Sequence, residues 1–310
     1  MIYVTQGHQL GIGIEVFLKS FSLLNSIQQK SFKLVVNRRT IEQNLKLLNF
    51  NYQILNDQIH FNSNILNYIE CANEGLPEST QSLNLALENI TEKDILLTLP
   101  TSKDQLIDSN QLRKGYTEFL RYRYSIQNLC MVFKAYEDAT LLITDHIPLA
   151  KVSSSITSAQ IIEKVTKTMN GFNKYFYPLS EVIFAGINPH CGEGGLLGNE
   201  DHVVDDAIKS LNSVVNTVGP VSGDTLHFYT GNKEKQLKVY MFHDQGLPLF
   251  KDKYRTIGLN ITLGLPFLRM SVDHGTAFNL YGKGVADFSG CYYMLKEAIK
   301  VNRKLLDEQQ

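Results

Sequence analysis

Short apolar runs alternate along this chain with longer stretches whose apolar residues recur every three or four positions. Runs at 2–5, 33–36, 94–97, 131–135, 140–144, 181–185 and 238–242 predict buried strands. Helical spacing covers 14–24, 41–48, 81–90, 117–125, 158–170, 203–215 and 292–306. Strands separated by helices of this length predict βαβ units and a largely parallel sheet, hence an α/β fold. Ser158 is the expected N-cap of its helix, with Ile161, Ile162 and Val165 forming the apolar stripe behind it. Residues 50–78 are Asn-rich and read as an irregular edge region. Residues 218–235, with Gly219, Pro220, Gly223 and Gly231, read as a loop-rich stretch.

Three of the apolar runs are followed by a histidine among turn residues. The segments are Thr144-Asp145-His146-Ile147-Pro148, Asn188-Pro189-His190-Cys191-Gly192 and Phe242-His243-Asp244-Gln245-Gly246. Any one of them reads equally as a loop histidine closing a strand. Their shared context points instead to a metal site assembled from distant sequence. Neutral imidazole is the commonest protein ligand for zinc and similar ions, and three leave one tetrahedral position open. Asp224 and Asp244 are candidates for orienting such ligands or moving protons beside them. Lys251, Asn260 and Arg269 follow at intervals, two cations and an amide suited to a phosphate or carboxylate. Ser271-Val272-Asp273-His274-Gly275-Thr276-Ala277, followed by Gly282-Lys283-Gly284, is a weaker candidate for backbone contacts to a nucleotide. The loop Thr5-Gln6-Gly7-His8-Gln9-Leu10-Gly11-Ile12-Gly13 joins a strand to a helix but follows neither dinucleotide nor P-loop spacing.

Composition narrows the class. A length of 310 residues suggests about two domains. A formal net charge of −1 implies no broad attraction to nucleic acid or anionic membrane, and no apolar run is long enough to span a bilayer. The N-terminal residues enter a strand directly, without the features of a signal peptide. Four cysteines lie far apart with no CxxC pair, which suggests free thiols in a reducing cytoplasm. Cys191, beside His190, reads as a small loop residue rather than a nucleophile.

Asn188-Pro189-His190 with Gly192-Glu193-Gly194-Gly195, His243-Asp244-Gln245-Gly246-Leu247-Pro248, the stretch 260–269 and Ser271-Val272-Asp273-His274-Gly275-Thr276-Ala277 are long and specific strings. Through them the chain resembles the 4-hydroxythreonine-4-phosphate dehydrogenase family of pyridoxal phosphate biosynthesis. The likeness is fullest from about residue 140 onward and thinner before it.

The resemblance implies two α/β/α domains with a cleft between them, as in isocitrate and isopropylmalate dehydrogenases. We expect residues 1–105 plus 262–310 to form the nucleotide-side domain, and 106–261 the domain with metal ligands and dimer interface. It implies a homodimer with the active site at the subunit interface. His146, His190 and His243 would be the metal ligands, His243 coming from across the dimer. Substrate contacts would be Tyr116, Thr117, Lys251, Asn260 and Arg269. Asp224, Asp244 and Lys251 would be catalytic, and His274, Gly275, Thr276 and Ala277 would hold NAD or NADP. The metal expected is zinc, with cobalt, magnesium and manganese as alternatives. The implied reaction oxidises a hydroxyl of 4-phosphohydroxy-L-threonine and decarboxylates the resulting β-keto acid to 3-amino-2-oxopropyl phosphate.

The chain departs from the family pattern in three places, all in its N-terminal half. The family's Gly-His-Thr-Glu reads Gly115-Tyr116-Thr117-Glu118, its Thr-Gly-Pro reads Thr98-Leu99-Pro100, and the first loop reads Gly7-His8-Gln9-Leu10 in place of an acidic residue and prolines. These changes spare the histidines and bear on the substrate. The alternatives are therefore a paralogue acting on D-threonate or D-erythronate 4-phosphate, a phosphate acyltransferase of related fold, and a non-catalytic metal-binding dimer.

Overall fold

Residues apolar on both sides of a strand belong in the middle of a covered sheet, and Ile2–Thr5, buried at every position, is β1. The computed structural model describes residues 1–71, 75–230 and 235–308, so the loop glycine Gly231 lies outside the described residues. After β1 come α1 (Gly13–Phe21), α2 (Ser26–Gln29), β2 (Phe32–Val36) and α3 (Arg38–Leu47). The hairpin strands β3 (Tyr52–Leu55), β4 (Gln58–Phe61) and β5 (Asn64–Glu70) follow, then α4 (Glu78–Asn89) and β6 (Ile95–Thr98). Short strands β7 (Ile107–Asp108) and β8 (Gln111–Leu112) lead into α5 (Tyr116–Arg123). The middle of the chain builds β9 (Cys130–Ala135), β10 (Asp138–Leu142), α6 (Val152–Ser155), α7 (Ser158–Tyr175), β11 (Glu181–Ala185) and α8 (His202–Leu211). It continues through β12 (Asn216–Val221), β13 (Gln236–Tyr240), α9 (His243–Tyr254) and β14 (Leu259–Leu263), and the chain ends with β15 (Leu268–Val272) and α10 (Ser289–Asp307).

Two compact units result, residues 1–127 with 265–310, and residues 128–264. The first boundary falls at 127/128 instead of 105/106 because the segment between is tied to the first unit. Arg113 is buried against Asp108, Phe119 and Leu120 are fully buried, and the Tyr116 hydroxyl donates to the Leu99 carbonyl. The second falls at 264/265 instead of 261/262 because Thr262 and Leu263 complete β14, paired with Met131 and Cys130.

In the first unit the strand order is β15-β6-β1-β2-β5-β4-β3, parallel from β15 to β5. The Asn-rich edge is regular, not irregular: β3, β4 and β5 are antiparallel neighbours. Asn56 and Asn62 open the tight turns between them at φ 49° and 48°, a left-handed conformation that asparagine tolerates.

In the second unit the order is β12-β11-β13-β10-β9-β14. The strands from β12 to β10 are parallel, and β9 runs antiparallel to both β10 and β14. Thr157, not Ser158, caps α7, its hydroxyl accepting from the Gln160 amide. That helix buries Ile161, Val165, Thr168, Phe172 and Tyr175, one face at helical spacing. On α9, Leu247 and Phe250 join Met131, Phe133, Leu142, Ile183 and Tyr240 in one core cluster. Each such side chain contributes about 1.5–3 kcal/mol by leaving water, which anchors the helix that opens at His243.

Candidate active site

Parallel strands end on the same side of a sheet, so β10, β13, β11 and β12 deliver their following loops to one edge. His146 follows β10, His243 follows β13, His190 follows β11 and Asp224 follows β12. The central strand carries His243 and its two neighbours carry the other histidines. Thr144 ties two of these loops, its amide and hydroxyl both donating to the Met241 carbonyl at 3.1 and 2.7 Å. Gln245 ties further ones. Its Oε1 accepts from the Met241 amide at 2.8 Å and its Nε2 donates to the Gly186 carbonyl at 2.8 Å. Gly223 packs on the same side chain, 2.9 Å from Nε2 to the place its Cβ would occupy.

The rings of His146 and His243 lie 5.3 Å apart, centroid to centroid, tilted by 43°. Two imidazoles on one tetrahedral zinc stand about 5 Å apart by centroid, given metal–nitrogen bonds of about 2.1 Å. That spacing is the one two ligands of a single ion would have. His243 Nδ1 lies 3.0 Å from Asp244 Oδ1, the second contact that fixes a ligating imidazole's orientation. His190 stands apart, with Nδ1 2.7 Å from Glu193 Oε1. Among the described residues no three His, Cys, Asp or Glu side chains gather closely enough to hold an ion.

The His190 loop is backbone of unusual hand. His190, Cys191, Gly192, Glu193 and Gly194 all have positive φ, from 44° to 77°. Three of them carry side chains, each costing roughly 1–2 kcal/mol in that conformation. Asp201 anchors the base of the loop, accepting from the Ile187 amide at 2.6 Å and from the Asn188 amide and side chain at 3.2 and 3.0 Å. Burial, reinforced by Asp201, pushes the Cys191 thiol up, so it is a protonated loop residue and not a poised nucleophile. The Ser222 hydroxyl donates to Asp224 at 2.6 Å, and that bond, with His190 adding to it, holds the Asp224 carboxyl below its ordinary value.

Asn260 and Arg269 both lie on strands. Asn260 Oδ1 is a buried acceptor with no hydrogen-bond partner among the described residues, as expected of a group awaiting a ligand. Lys251 is exposed in the last turn of α9, about 12 Å along the axis from His243.

In the first unit, Arg269 is 3% exposed. It sits opposite Leu96 and so shares a face with Thr98, whose hydroxyl oxygen accepts from Nε at 3.0 Å and Nη2 at 2.6 Å. The Tyr116 ring covers the guanidinium with its centroid 5.2 Å from Cζ. Burial pulls Arg269 down to about 10 and pushes Tyr116 up to about 12, so one stays charged and the other neutral near pH 7. Thr117 is buried beside Tyr116 at the start of α5.

The candidate cofactor segment follows β15. The Thr276 carbonyl accepts from the Ile12 amide at 3.0 Å, and the His8 ring meets Phe278 edge-on at 4.7 Å. The two loops therefore form one rim at the carboxyl ends of β1 and β15, where open α/β sheets bind ligands. Burial lowers the pKa of His8 despite the opposing pull of Asp104 and Glu78, so the rim adds no charge there at neutral pH. His274 Nε2 is a buried nitrogen with no partner among the described residues, and nothing lies within 4 Å of where a Gly275 Cβ would be. An orphaned donor or acceptor beside an open glycine suits a nucleotide approached by backbone.

A sequence model of the family described as "Pyridoxal phosphate biosynthetic protein PdxA" matches residues 22–301. The chain belongs to the PdxA family. The match reaches well into the N-terminal half, where recognisable strings were sparse. A 4-hydroxythreonine-4-phosphate dehydrogenase of Sulfurihydrogenibium sp. is 31% identical, over 97% of this chain and 98% of that one. The crystal structure of a 4-hydroxythreonine-4-phosphate dehydrogenase from Klebsiella pneumoniae superposes with a TM-score of 0.78 at 26% identity, covering 97% of this chain and 98% of the other. The α/β fold is that of isocitrate dehydrogenase as well: the enzyme from Methylococcus capsulatus matches with a TM-score of 0.51 at 10% identity, over 95% of this chain and 83% of that one. Within the PdxA family frame, sequence reading missed Gln245 and Asp201. Gln245 ties loops 59 positions apart and Asp201 closes the base of its own loop, contacts that residue type alone does not announce.

Proposed function

We propose that this PdxA-family chain is a metal-dependent NAD(P) dehydrogenase that oxidises and decarboxylates 4-phosphohydroxy-L-threonine to 3-amino-2-oxopropyl phosphate. The observation that carries the reading is the His146–His243 pair at adjoining parallel strand ends, spaced for one ion. The resemblance has His243 crossing the dimer, whereas here His243 lies beside His146 of its own chain, so His190, turned to Glu193, would be the third ligand and would come from the second copy of a homodimer. Zinc is the metal best suited to three imidazoles, and the enzyme would work in the cytoplasm. When bound, the metal would supply Lewis acidity at the substrate hydroxyl and the nicotinamide cofactor would supply a hydride acceptor.

The chain's own residues do the rest. Asp244 orients His243 through Nδ1. Asp224, held by the Ser222 hydroxyl at 2.6 Å, would take the hydroxyl proton. In the second unit Asn260 and Lys251 contact the substrate, and Lys251 supplies positive charge as CO₂ leaves. In the first unit Arg269 and Thr117 bind its anionic group, while His274, Gly275, Thr276 and Ala277 hold the nucleotide. A second reading, a paralogue acting on D-threonate or D-erythronate 4-phosphate, is favoured by Tyr116, whose hydroxyl is already spent on Leu99.

The deciding assay is NADH formation with each of the three phosphates, with and without chelator. Chelator-sensitive turnover of the threonine compound is the expected result. Turnover of only a sugar-acid phosphate selects the second reading. Silence with all three favours an acyltransferase or a non-catalytic metal-binding dimer.

A further inference from the structure

The first loop is one of the places where the chain departs from its family pattern, and the loop is built around His8. That residue is 9% exposed. Its Nδ1 accepts from the Leu10 amide at 3.0 Å, the bond that an Asn or Asp side chain makes two residues on in an Asx-turn. The His8 amide donates to the Pro100 carbonyl at 2.9 Å, and the His8 carbonyl accepts from the Gly11 amide at 3.0 Å. The turn closed in this way lies against the segment after β15. The His8 ring meets the Phe278 ring edge-on, and the Ile12 amide donates to the Thr276 carbonyl. Gly11 permits the approach, because a Cβ there would lie 3.3 Å from both the Thr276 and the His8 carbonyl oxygens.

An imidazole nitrogen accepts a hydrogen bond only while it carries no proton. With Nδ1 protonated, two N–H groups would face each other at 3.0 Å, so the ring must leave its place to become charged. We propose that His8 is a positioning residue for the nucleotide, a latch whose neutral ring holds Thr276 and Phe278 in place and which opens on protonation. This rests on the reading of His274, Gly275, Thr276 and Ala277 as the cofactor segment. Glu78 on α4 and Asp104 on the short turn 103–105 favour the charged ring, but burial disfavours it more and keeps its pKa below the ordinary value. The segment after β15 also carries Asp273 and His274, which every variant below retains. A free imidazole titrates near about 6.5, so the latch is fully closed above that pH and is progressively lost as pH falls below it.

Calorimetry of NAD binding to the full chain, at about pH 7.5 and about pH 5.5, tests the latch without turnover. Wild type is expected to bind about threefold to tenfold more weakly at the lower pH, since a released imidazole is then about tenfold more charged than neutral. His8→Asn keeps an acceptor at the place of Nδ1 but has neither ring nor titrating group. It is expected to bind about threefold more weakly than wild type at the higher pH and to change by less than about twofold at the lower. Phe278→Ala keeps the histidine and removes the ring it holds, so the same flat profile is expected. A flat wild-type profile overturns the proposal, and so does a variant that fades in acid as wild type does. Should His8→Asn fail to fold, Phe278→Ala against wild type decides on the same terms. Gly275→Leu separates the latch from the reading beneath it. Nothing lies within 4 Å of the Gly275 Cβ position, so the leucine folds into open space and is expected to weaken NAD about tenfold or more at both pH values. NAD binding indifferent to Gly275→Leu overturns the cofactor reading and the latch with it. Binding that Gly275→Leu weakens, with a flat wild-type profile, overturns the latch alone.

Discussion

Asp244 touches His243 through a single 3.0 Å contact and is otherwise 86% exposed, so its removal costs the fold little. Such an outer partner sets the tautomer and tilt of a ligating ring, and its loss weakens metal binding about tenfold to a hundredfold. Asp244→Asn is therefore expected to lower zinc affinity by that factor, in competition with a chromophoric chelator, with melting temperature nearly unchanged. Unaltered affinity would remove Asp244 from the site. Thr98 makes the opposite case, buried where its loss is felt. Thr98→Val strips an acceptor from two guanidinium donors of Arg269 and is expected to destabilise the protein by about 1–3 kcal/mol in urea melts. The histidines were legible in sequence because each follows a strong apolar run. Tyr116 was legible as an anomaly, but its hydroxyl partner is a backbone carbonyl that leaves no trace in residue type.

Among the elements, α9 shows why sequence patterns stop short. Gly246 and Pro248 argue against a helix, yet His243–Tyr254 is one. Glycine is required because α9 crosses β13 closely: a Cβ at 246 would meet the Tyr240 ring at 2.7 and 2.8 Å. Helix propensity favours alanine over glycine by about 1 kcal/mol, whereas overpacking costs about 1–3 kcal/mol. The ring is fully buried and has nowhere to move, so the clash wins. Gly246→Ala is expected to lower the melting temperature by several degrees and to disturb the His146–His243 pair at the helix start. A stabilised variant would show that Tyr240 yields. The strands carrying Asn260 and Arg269 escaped notice for a related reason. Each is five residues long, and they follow one another with only four residues between, so neither stands out as a separate run.

Across the whole molecule, no helix among the described residues is long and apolar enough to cross a membrane. A largely buried ionic cluster lies in the second unit around Asp138. Asp138 accepts from Lys238 at 2.7 and 2.8 Å, from Lys253 at 3.1 Å and from the Tyr254 hydroxyl at 2.6 Å. Burial pushes its carboxyl up, but Lys238 and the other donors outweigh that and leave it below the ordinary value. A carboxyl depressed in the folded state contributes stability above its unfolded pKa of about 3.9, and that contribution is lost as pH falls further. Asp138→Asn should thus cost about 3 kcal/mol at pH 7, leaving Lys238 uncompensated, and progressively less below about pH 4. Denaturant midpoints across that range check the convergence. Parallel curves for mutant and wild type would show that other groups govern acid stability.

The chain's own sequence determined the long apolar strands of both sheets, which of them end in histidine, and which family it belongs to, because hydrophobic period and motif strings are local properties. The tertiary structure decided which strands are neighbours. Burial patterns state that β10, β11 and β13 lie inside a sheet but not in what order, and Thr144 meets Met241 across 97 positions of chain. That order brings His146 beside His243 while His190 turns away to Glu193. Strand pairing and close packing, both long-range, carry that information, as they do the closing of Tyr116 over Arg269.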